Sequence, residues 1–145
     1  MSICVENVSC VYSKGSPFEK VALENISLTI EKGEFIGIIG HTGSGKSTLI
    51  QHLNGLIHPT SGKVTIDGVD LAAKTKEAVA KRHSVGMVFQ YPEHQLFEET
   101  VAKDIAFGPK NLGCSEEETE KRVKSAMKFA GLDYDTFGGR SPFRL

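Results

Sequence analysis

The sequence predicts an α/β fold in which an N-terminal antiparallel β subdomain precedes a buried strand, a glycine-rich loop and a helix. Residues 2–13 and 21–31 are predicted to be strands, and apolar residues alternate with polar ones along the second of them. Such alternation is typical of an antiparallel sheet with one solvated face. Residues 34–39 are almost continuously apolar instead, which is the pattern of a strand that is buried on both faces.

The loop after residues 34–39 fits the Walker A pattern, G-x-x-x-x-G-K-[ST]. It consists of Gly40, His41, Thr42, Gly43, Ser44, Gly45, Lys46 and Ser47, and Thr48 follows. The glycines let the backbone turn its N–H groups inward around an anion, and the helix that follows directs its positive end to the same place. Lys46 adds an ammonium group for the β- and γ-phosphates, and the hydroxyl of Ser47 can ligate Mg²⁺. The sequence therefore predicts that this loop binds the phosphates of a nucleotide.

Helices and strands are predicted throughout the rest of the chain. They are a helix after the loop that ends before Pro59, a strand at 63–67 closed by an Asp67-Gly68 turn, a helix near 75–82, a strand at 84–89, and helices at 99–107 and 115–131. Gly108 and Pro109 are predicted to stop the helix at 99–107. Ser115, with Glu118 three residues later, forms a capping box for the last helix. Its predicted buried stripe consists of Val123, Ala126, Met127 and Ala130.

Size and charge exclude several functional classes. At 145 residues the chain has the length of one domain, and we treat residues 1–145 as one. Its 17 basic and 18 acidic residues give a net charge of −1, with no block of like charge to attract nucleic acid. No apolar stretch approaches the roughly 18 residues of a membrane span, and no signal-peptide pattern is present. We expect a cytoplasmic protein with reduced thiols that binds no nucleic acid and reaches a membrane only through a partner.

Four features, in order along the whole chain, resemble the ATP-binding subunit of ABC transporters. Tyr12 has the position of the aromatic residue that stacks on adenine in that family. The runs 23–34 and 59–68 are similar to the segments on either side of its Walker A motif. Gln90, directly after the predicted strand 84–89, has the position of the Q-loop glutamine.

This resemblance implies a P-loop NTPase fold of the ABC ATPase type, with ATP and Mg²⁺ as cofactors. Tyr12 and residues 40–48 would bind the nucleotide. Ser47 and Gln90 would ligate the metal, and Lys46 and Gln90 would act in catalysis.

Residues 90–101 narrow the resemblance, since they look like the ATPases of energy-coupling-factor importers, which take up vitamins and metal ions. The expected partners are a second ABC ATPase subunit, identical or not, and transmembrane coupling and substrate-binding proteins. The expected location is the cytoplasmic face of the membrane. Within this stretch Gln90 would sense the transport partner.

The chain departs from the family after residues 141–145, which resemble the lead into the signature motif Leu-Ser-Gly-Gly-Gln. The rest of that motif, the Walker B aspartate, the glutamate base and the switch histidine are not among the 145 residues. We therefore expect the N-terminal part of an ATP-binding domain, from Walker A to just before the signature, that binds nucleotide without turning it over. The core sheet is expected to be incomplete, with strand 34–39 exposed unless another chain covers it.

Two other functions remain open from the residues alone. A soluble ABC-type ATPase acting on nucleic acid or ribosomes would share Walker A and the Q-loop, but should carry a basic groove or a long coiled-coil insertion. A small P-loop kinase should carry an arginine-rich lid, for which Arg82 is the nearby candidate.

Overall fold

The computed structural model describes residues 2–144 and divides into two compact units, one ending at Met87 and the other beginning at Val88. Each unit has its own core.

The first unit is built on a four-stranded antiparallel sheet. Its strands are β1 (Ile3–Tyr12), β2 (Lys20–Ile30), β3 (Ser61–Ile66) and β4 (Val69–Asp70), in the order β2-β1-β3-β4. The predicted antiparallel subdomain is thereby confirmed. The turn between β3 and β4 is the predicted one: Asp67 and Gly68 have φ angles of 49° and 81°, and positive φ at both central residues is the requirement of a type I′ hairpin turn.

Two helices complete the first unit, α1 (Lys46–Leu53) and α2 (Lys76–His83). The core consists of one face of the sheet, the buried side of α1 and the residue just after β4: Ile3, Val5, Val8, Cys10, Leu23, Leu49, Leu53, Val64, Ile66 and Leu71. The helix α1 is shorter than predicted. It ends because Gly55, at φ 72°, takes the left-handed conformation that terminates helices, and Leu56 is consequently 60% exposed.

The predicted strands at 34–39 and 84–89 are not formed. Neither segment pairs with a strand among residues 2–144, and Phe35 and Ile39 are fully exposed. Apolar composition alone does not make a strand, because its backbone N–H and C=O groups need a neighbouring strand to bond. The expectation of an incomplete core sheet agrees with this finding.

The second unit is helical. It contains α3 (Val101–Asn111), α4 (Glu116–Phe129), the short α5 (Tyr134–Phe137) and 3₁₀ turns at Pro92–Gln95 and Pro142–Arg144. The predicted stop of α3 at Gly108-Pro109 was wrong. Proline removes one N–H donor but keeps its carbonyl, which accepts from Cys114 N at 3.1 Å, and Gly108 O accepts from Leu112 N, so the last turn still forms.

Helix α4 begins and ends as predicted. Ser115 Oγ accepts from Glu118 N at 3.3 Å, and Gly131 adopts φ 74° directly after the C-cap. Its buried side is narrower than predicted. Thr119, Val123 and Met127 are buried at four-residue spacing, whereas the alanines at 126 and 130 are exposed. Val123 and Met127 form the core of this unit with Val101 and Ala106 of α3.

Candidate nucleotide site

The glycine-rich loop lies against β2 at the point where α1 begins. Gly43 and Gly45 have φ angles of 82° and 90°, a backbone conformation that side chains rarely adopt. At Gly45 a β-carbon would lie 2.5 Å from the carbonyl oxygen of Ala22 and 3.0 Å from Cδ2 of Leu23. Only glycine fits this close approach, so the loop is held against the edge of the sheet.

Lys46 directs its ammonium group into the loop. Its Nζ donates to the carbonyl oxygens of Gly40 at 2.7 Å and His41 at 2.8 Å, and lies 3.5 Å from Oγ of Ser44. An ammonium has three donors and no acceptor, and charge-assisted bonds to phosphate oxygens are stronger than bonds to carbonyls. The side chain is therefore placed to exchange loop carbonyls for a phosphate.

The first turn of α1 carries no acidic residue, and its N-cap Gly45 has no side chain to accept from the first N–H groups. Free N–H groups and the helix dipole make such an end favourable for an anion. Ser47 is exposed in this turn, so its hydroxyl is accessible to a cation that accompanies the anion. The neighbouring His41 is turned back on the loop, where its Nδ1 lies 2.9 Å from the carbonyl oxygen of Thr42.

A cleft of about 170 Å³ joins the loop to the end of β1. It is lined by Tyr12, Lys20, Ala22, Gly43, Gly45, Lys46, Ser47 and Thr48. The structure thus brings Tyr12 together with the loop, and the hydroxyl of Tyr12 lies 3.3 Å from Oγ1 of Thr48. Lys20 and Ala22 were missed in the sequence. The antiparallel register could have identified Lys20, since it is the β2 partner of Tyr12.

Two buried polar groups flank this contact. His52, which is 1% exposed, has its Nδ1 at 2.7 Å from the carbonyl oxygen of Thr48, and because a carbonyl can only accept, Nδ1 donates. Its Nε2 is buried with no hydrogen-bond partner in the part of the chain that the structure describes. Cys10 is buried as well: burial raises the pKa of its thiol, and a hydrogen bond from Tyr12 opposes that rise.

Gln90 belongs to the second unit and is exposed, just before the 3₁₀ turn Pro92–Gln95. The loop after it is held to α3 by Asp104, whose Oδ1 accepts from the backbone nitrogens of Phe97 at 3.2 Å and Glu98 at 3.1 Å. Phe97 also stacks edge-on against Phe107, with ring centroids 4.8 Å apart. Sequence reasoning missed Asp104, although an acidic residue in the first turn of a helix could have drawn attention to it.

Aromatic side chains of this loop are accessible. Tyr91 is 56% exposed and stacks on His94 at 5.6 Å, and Phe97 is 60% exposed. Within residues 2–144 no cluster of three or more His, Cys, Asp or Glu side chains is placed to hold a metal. The described helices are also all too short or too polar to cross a membrane.

The sequence matches known proteins over nearly its whole length. The profile of the ABC transporter family matches residues 23–142. The energy-coupling factor transporter ATP-binding protein EcfA2 of Clostridium perfringens is 59% identical over 145 residues, which are all of this chain and 51% of that protein. The protein of the same name from Caldanaerobacter subterraneus is 57% identical, and its matched part is 50% of its length. The chain spans about half the length of the curated relatives it matches.

Solved structures agree with these matches. One is cbiO1 from Clostridium perfringens, part of the ABC transporter complex cbiONQ, with a TM-score of 0.79 and 36% identity. The match covers 99% of this chain and 55% of that one. Another is an ATP-binding cassette in a dimeric, post-hydrolysis state bound to ADP and Pi, with a TM-score of 0.80 and 31% identity over 99% of this chain and 62% of that one.

Proposed function

The chain belongs to the ABC transporter family, and on that premise we propose that Tyr12 and residues 40–48 form the nucleotide site of an ATP-binding subunit. The observation that carries the proposal is the cleft in which an exposed aromatic ring and the glycine-rich loop meet. A nucleotide needs both features, because its base is a flat apolar surface and its phosphates are multiply charged.

The residues of the cleft divide the work by chemistry. Lys46 and the N–H groups at the start of α1 would neutralise the phosphates. Ser47 would ligate Mg²⁺, which would neutralise phosphate charge when bound. Gln90 does not line the cleft, and it is proposed as a second oxygen ligand on its Q-loop position alone. The ring of Tyr12 would stack on adenine. These donors suit the cofactor, since a hydroxyl and an amide oxygen are hard ligands of the kind Mg²⁺ binds.

The matched relatives are about twice as long as this chain. For the whole protein we propose ATP-driven import of vitamins or metal ions. The proposed partners are a second ABC ATPase subunit and transmembrane coupling and substrate-binding proteins, met at the cytoplasmic face of the membrane. The support is the name that the relatives carry and the apolar surface of the loop after Gln90. Tyr91 and Phe97 give that loop a surface that a partner helix could bury.

The expectation that these 145 residues alone bind nucleotide without sustained turnover stays a prediction. Neither alternative function gains support. The chain is similar to the ATP-binding proteins of transporters described above. Arg82, the candidate lid arginine of a kinase, instead donates to the carbonyl oxygens of Leu71 and Ala73, so its guanidinium holds the loop after β4.

The proposal is tested by reconstituting the full-length protein with its membrane partners in vesicles. ATP supplied to the side of the vesicle membrane that carries the ATP-binding subunit should drive uptake of a labelled vitamin or metal ion. The Lys46→Ala protein should assemble with the membrane partners but should not support this uptake. ATP-independent uptake, or failure of the full-length protein to bind the transmembrane proteins, would contradict the import function while leaving the nucleotide site intact.

A further inference from the structure

We propose that Thr48 positions the ring of Tyr12, so that base recognition and phosphate binding are coupled through one hydroxyl–hydroxyl contact. This goes beyond the role of each residue taken singly, and it rests on the proposed nucleotide function of the cleft.

The contact joins two elements that are far apart in the sequence. Tyr12 is the last residue of β1, and Thr48 lies in the first turn of α1, 36 positions later. Their hydroxyl oxygens are 3.3 Å apart. Each hydroxyl has one donor and two acceptor sites. Tyr12 has one hydroxyl proton, for which Thr48 and Cys10 compete. When Tyr12 donates it to Thr48, the proton of Thr48 remains available to a phosphate oxygen at the same turn.

The Thr48 end of the contact is restricted in its motion. Thr48 is β-branched, which restricts its first side-chain torsion in a helix. Its carbonyl oxygen accepts from Nδ1 of the buried His52 at 2.7 Å, one turn further along α1. The hydroxyl is thus presented from a helix turn whose position is set by the core.

The Tyr12 end needs such a tether. Its backbone is paired with Lys20, but the residue is 40% exposed at the end of a strand, so burial restricts the two torsions of the ring only in part. A hydrogen bond at the tip of the ring fixes both torsions at once. The ring is then held in place in the cleft that Gly43 and Lys46 of the loop also line. A preformed stacking surface lowers the ordering cost of binding.

Double-mutant cycles in the full chain test the coupling. Tyr12→Phe, Thr48→Val and the double variant are titrated by calorimetry with ADP and with inorganic tripolyphosphate, which has phosphates but no base. A neutral hydrogen bond corresponds to a change of about twofold to tenfold in affinity. We expect Tyr12→Phe to weaken ADP binding by that factor and to leave tripolyphosphate binding unchanged. Once Thr48 is valine, Tyr12→Phe should cost nothing further with ADP.

Additive losses with ADP would overturn the proposal, because additivity means that the two hydroxyls act separately. This outcome differs from failure of the proposed function, in which Lys46→Ala would leave both ligands bound as tightly as before. Thr48→Ser keeps the hydroxyl and should preserve the coupling. The Cys10 thiol is the competing hydrogen-bond partner of Tyr12, and Cys10→Ala tests it. If Cys10→Ala, and not Thr48→Val, abolishes the effect of Tyr12→Phe on ADP binding, the thiol positions the ring.

NMR spectroscopy tests the same contact without a ligand and without a double-mutant cycle. The ring resonances of Tyr12 in the NMR spectrum of the ligand-free chain should shift and sharpen toward a freely rotating ring in Thr48→Val. They should stay in place in Thr48→Ser. Unchanged resonances in a folded Thr48→Val protein would overturn the proposal. Should that variant not fold, the ADP titration of Tyr12→Phe against the parent chain still decides. Equal affinity of these two proteins for ADP would contradict a role for the tyrosine hydroxyl.

Discussion

The ammonium nitrogen of Lys46 lies 2.7 Å from the carbonyl oxygen of Gly40, so the first residue of α1 reaches back to the residue that opens the loop. The same nitrogen also donates to the carbonyl oxygen of His41 at 2.8 Å. The loop is therefore preshaped by its own lysine, and the bonds that shape it are weaker than those that an anion would offer.

Lys46→Ala should weaken ATP binding roughly tenfold to a hundredfold, because it removes a charge-assisted contact worth about 1.5–3 kcal/mol. Calorimetric titration of parent and variant measures the loss. Lys63→Ala is the matched control, since Lys63 is an exposed lysine of the same unit that pairs with Glu6 outside the cleft. Equal affinity in Lys46→Ala and the parent would remove the loop from the nucleotide site.

In the full-length protein, Gln90→Ala should impair both ATP hydrolysis and uptake, because the proposed role of this amide is to ligate Mg²⁺ and to sense the partner. The combined Leu96→Ala and Phe97→Ala change should spare basal hydrolysis and abolish uptake, since it removes apolar surface and leaves the chemistry alone. Hydrolysis in detergent and uptake in vesicles are measured on the same preparations. Normal uptake by the double variant would show that this loop is not the docking surface.

Asp104→Ala should also uncouple hydrolysis from uptake, because it releases the backbone nitrogens of Phe97 and Glu98 from α3. We expect the loss to be several-fold in uptake with basal hydrolysis little changed. Asp104→Asn is the control, since its amide oxygen can still accept both bonds. Amide hydrogen exchange at positions 97 and 98 should rise in the alanine variant and stay close to the parent in the asparagine variant. If exchange at these positions is equally slow in all three proteins, Asp104 does not hold the loop.

Gly62→Ala should destabilise the first unit by more than about 2 kcal/mol, which combines the strain of positive φ with a steric overlap. Gly62 has a φ of 81°, and a β-carbon there would overlap the carbonyl group of Asn7, where the β1–β3 register shifts. Gly68→Ala is the matched control, because Gly68 has the same φ of 81° but open space around it, and should cost about 1 kcal/mol. Denaturant unfolding of the two variants is the measurement. Equal losses would mean that backbone strain alone sets the cost.

Asp67→Asn should reduce stability at neutral pH and have progressively less effect below about pH 4. The hydrogen bond from Lys81 at 2.6 Å, and then that from the backbone nitrogen of Ser2, lower the pKa of the Asp67 carboxyl below its ordinary 3.8. The ionised form therefore stabilises the fold above that value, and the contribution is lost as the pH falls through the lowered pKa. Asparagine tolerates the positive φ of the turn, so the charge is what changes. Thermal unfolding midpoints of both proteins from pH 7 to pH 2.5 check this, and a gap that does not narrow in acid would contradict it.

Local sequence determined the parts of this protein that need only neighbouring residues. The Asp67-Gly68 pair specifies a two-residue hairpin turn, Ser115 with Glu118 specifies a helix start, and the Walker A glycines permit the positive φ angles of the loop. In each case the preference arises from the torsions and hydrogen bonds of fewer than about eight residues. These features could be identified without any knowledge of the fold.

Long-range packing decided the rest. Residues 34–39 have the composition of a buried strand, yet a strand exists only where a neighbour supplies its hydrogen bonds, and none of the described residues does so. The contact of Tyr12 with Thr48 likewise depends on the β1–β2 pairing and on the core that seats α1, which together bring two residues 36 positions apart into contact. The sequence by itself thus determined the chemistry of the loop, whereas the tertiary structure decided the partner of each side chain. Hydrogen bonds and stacking act over a few ångströms, and only folding brings distant residues that close.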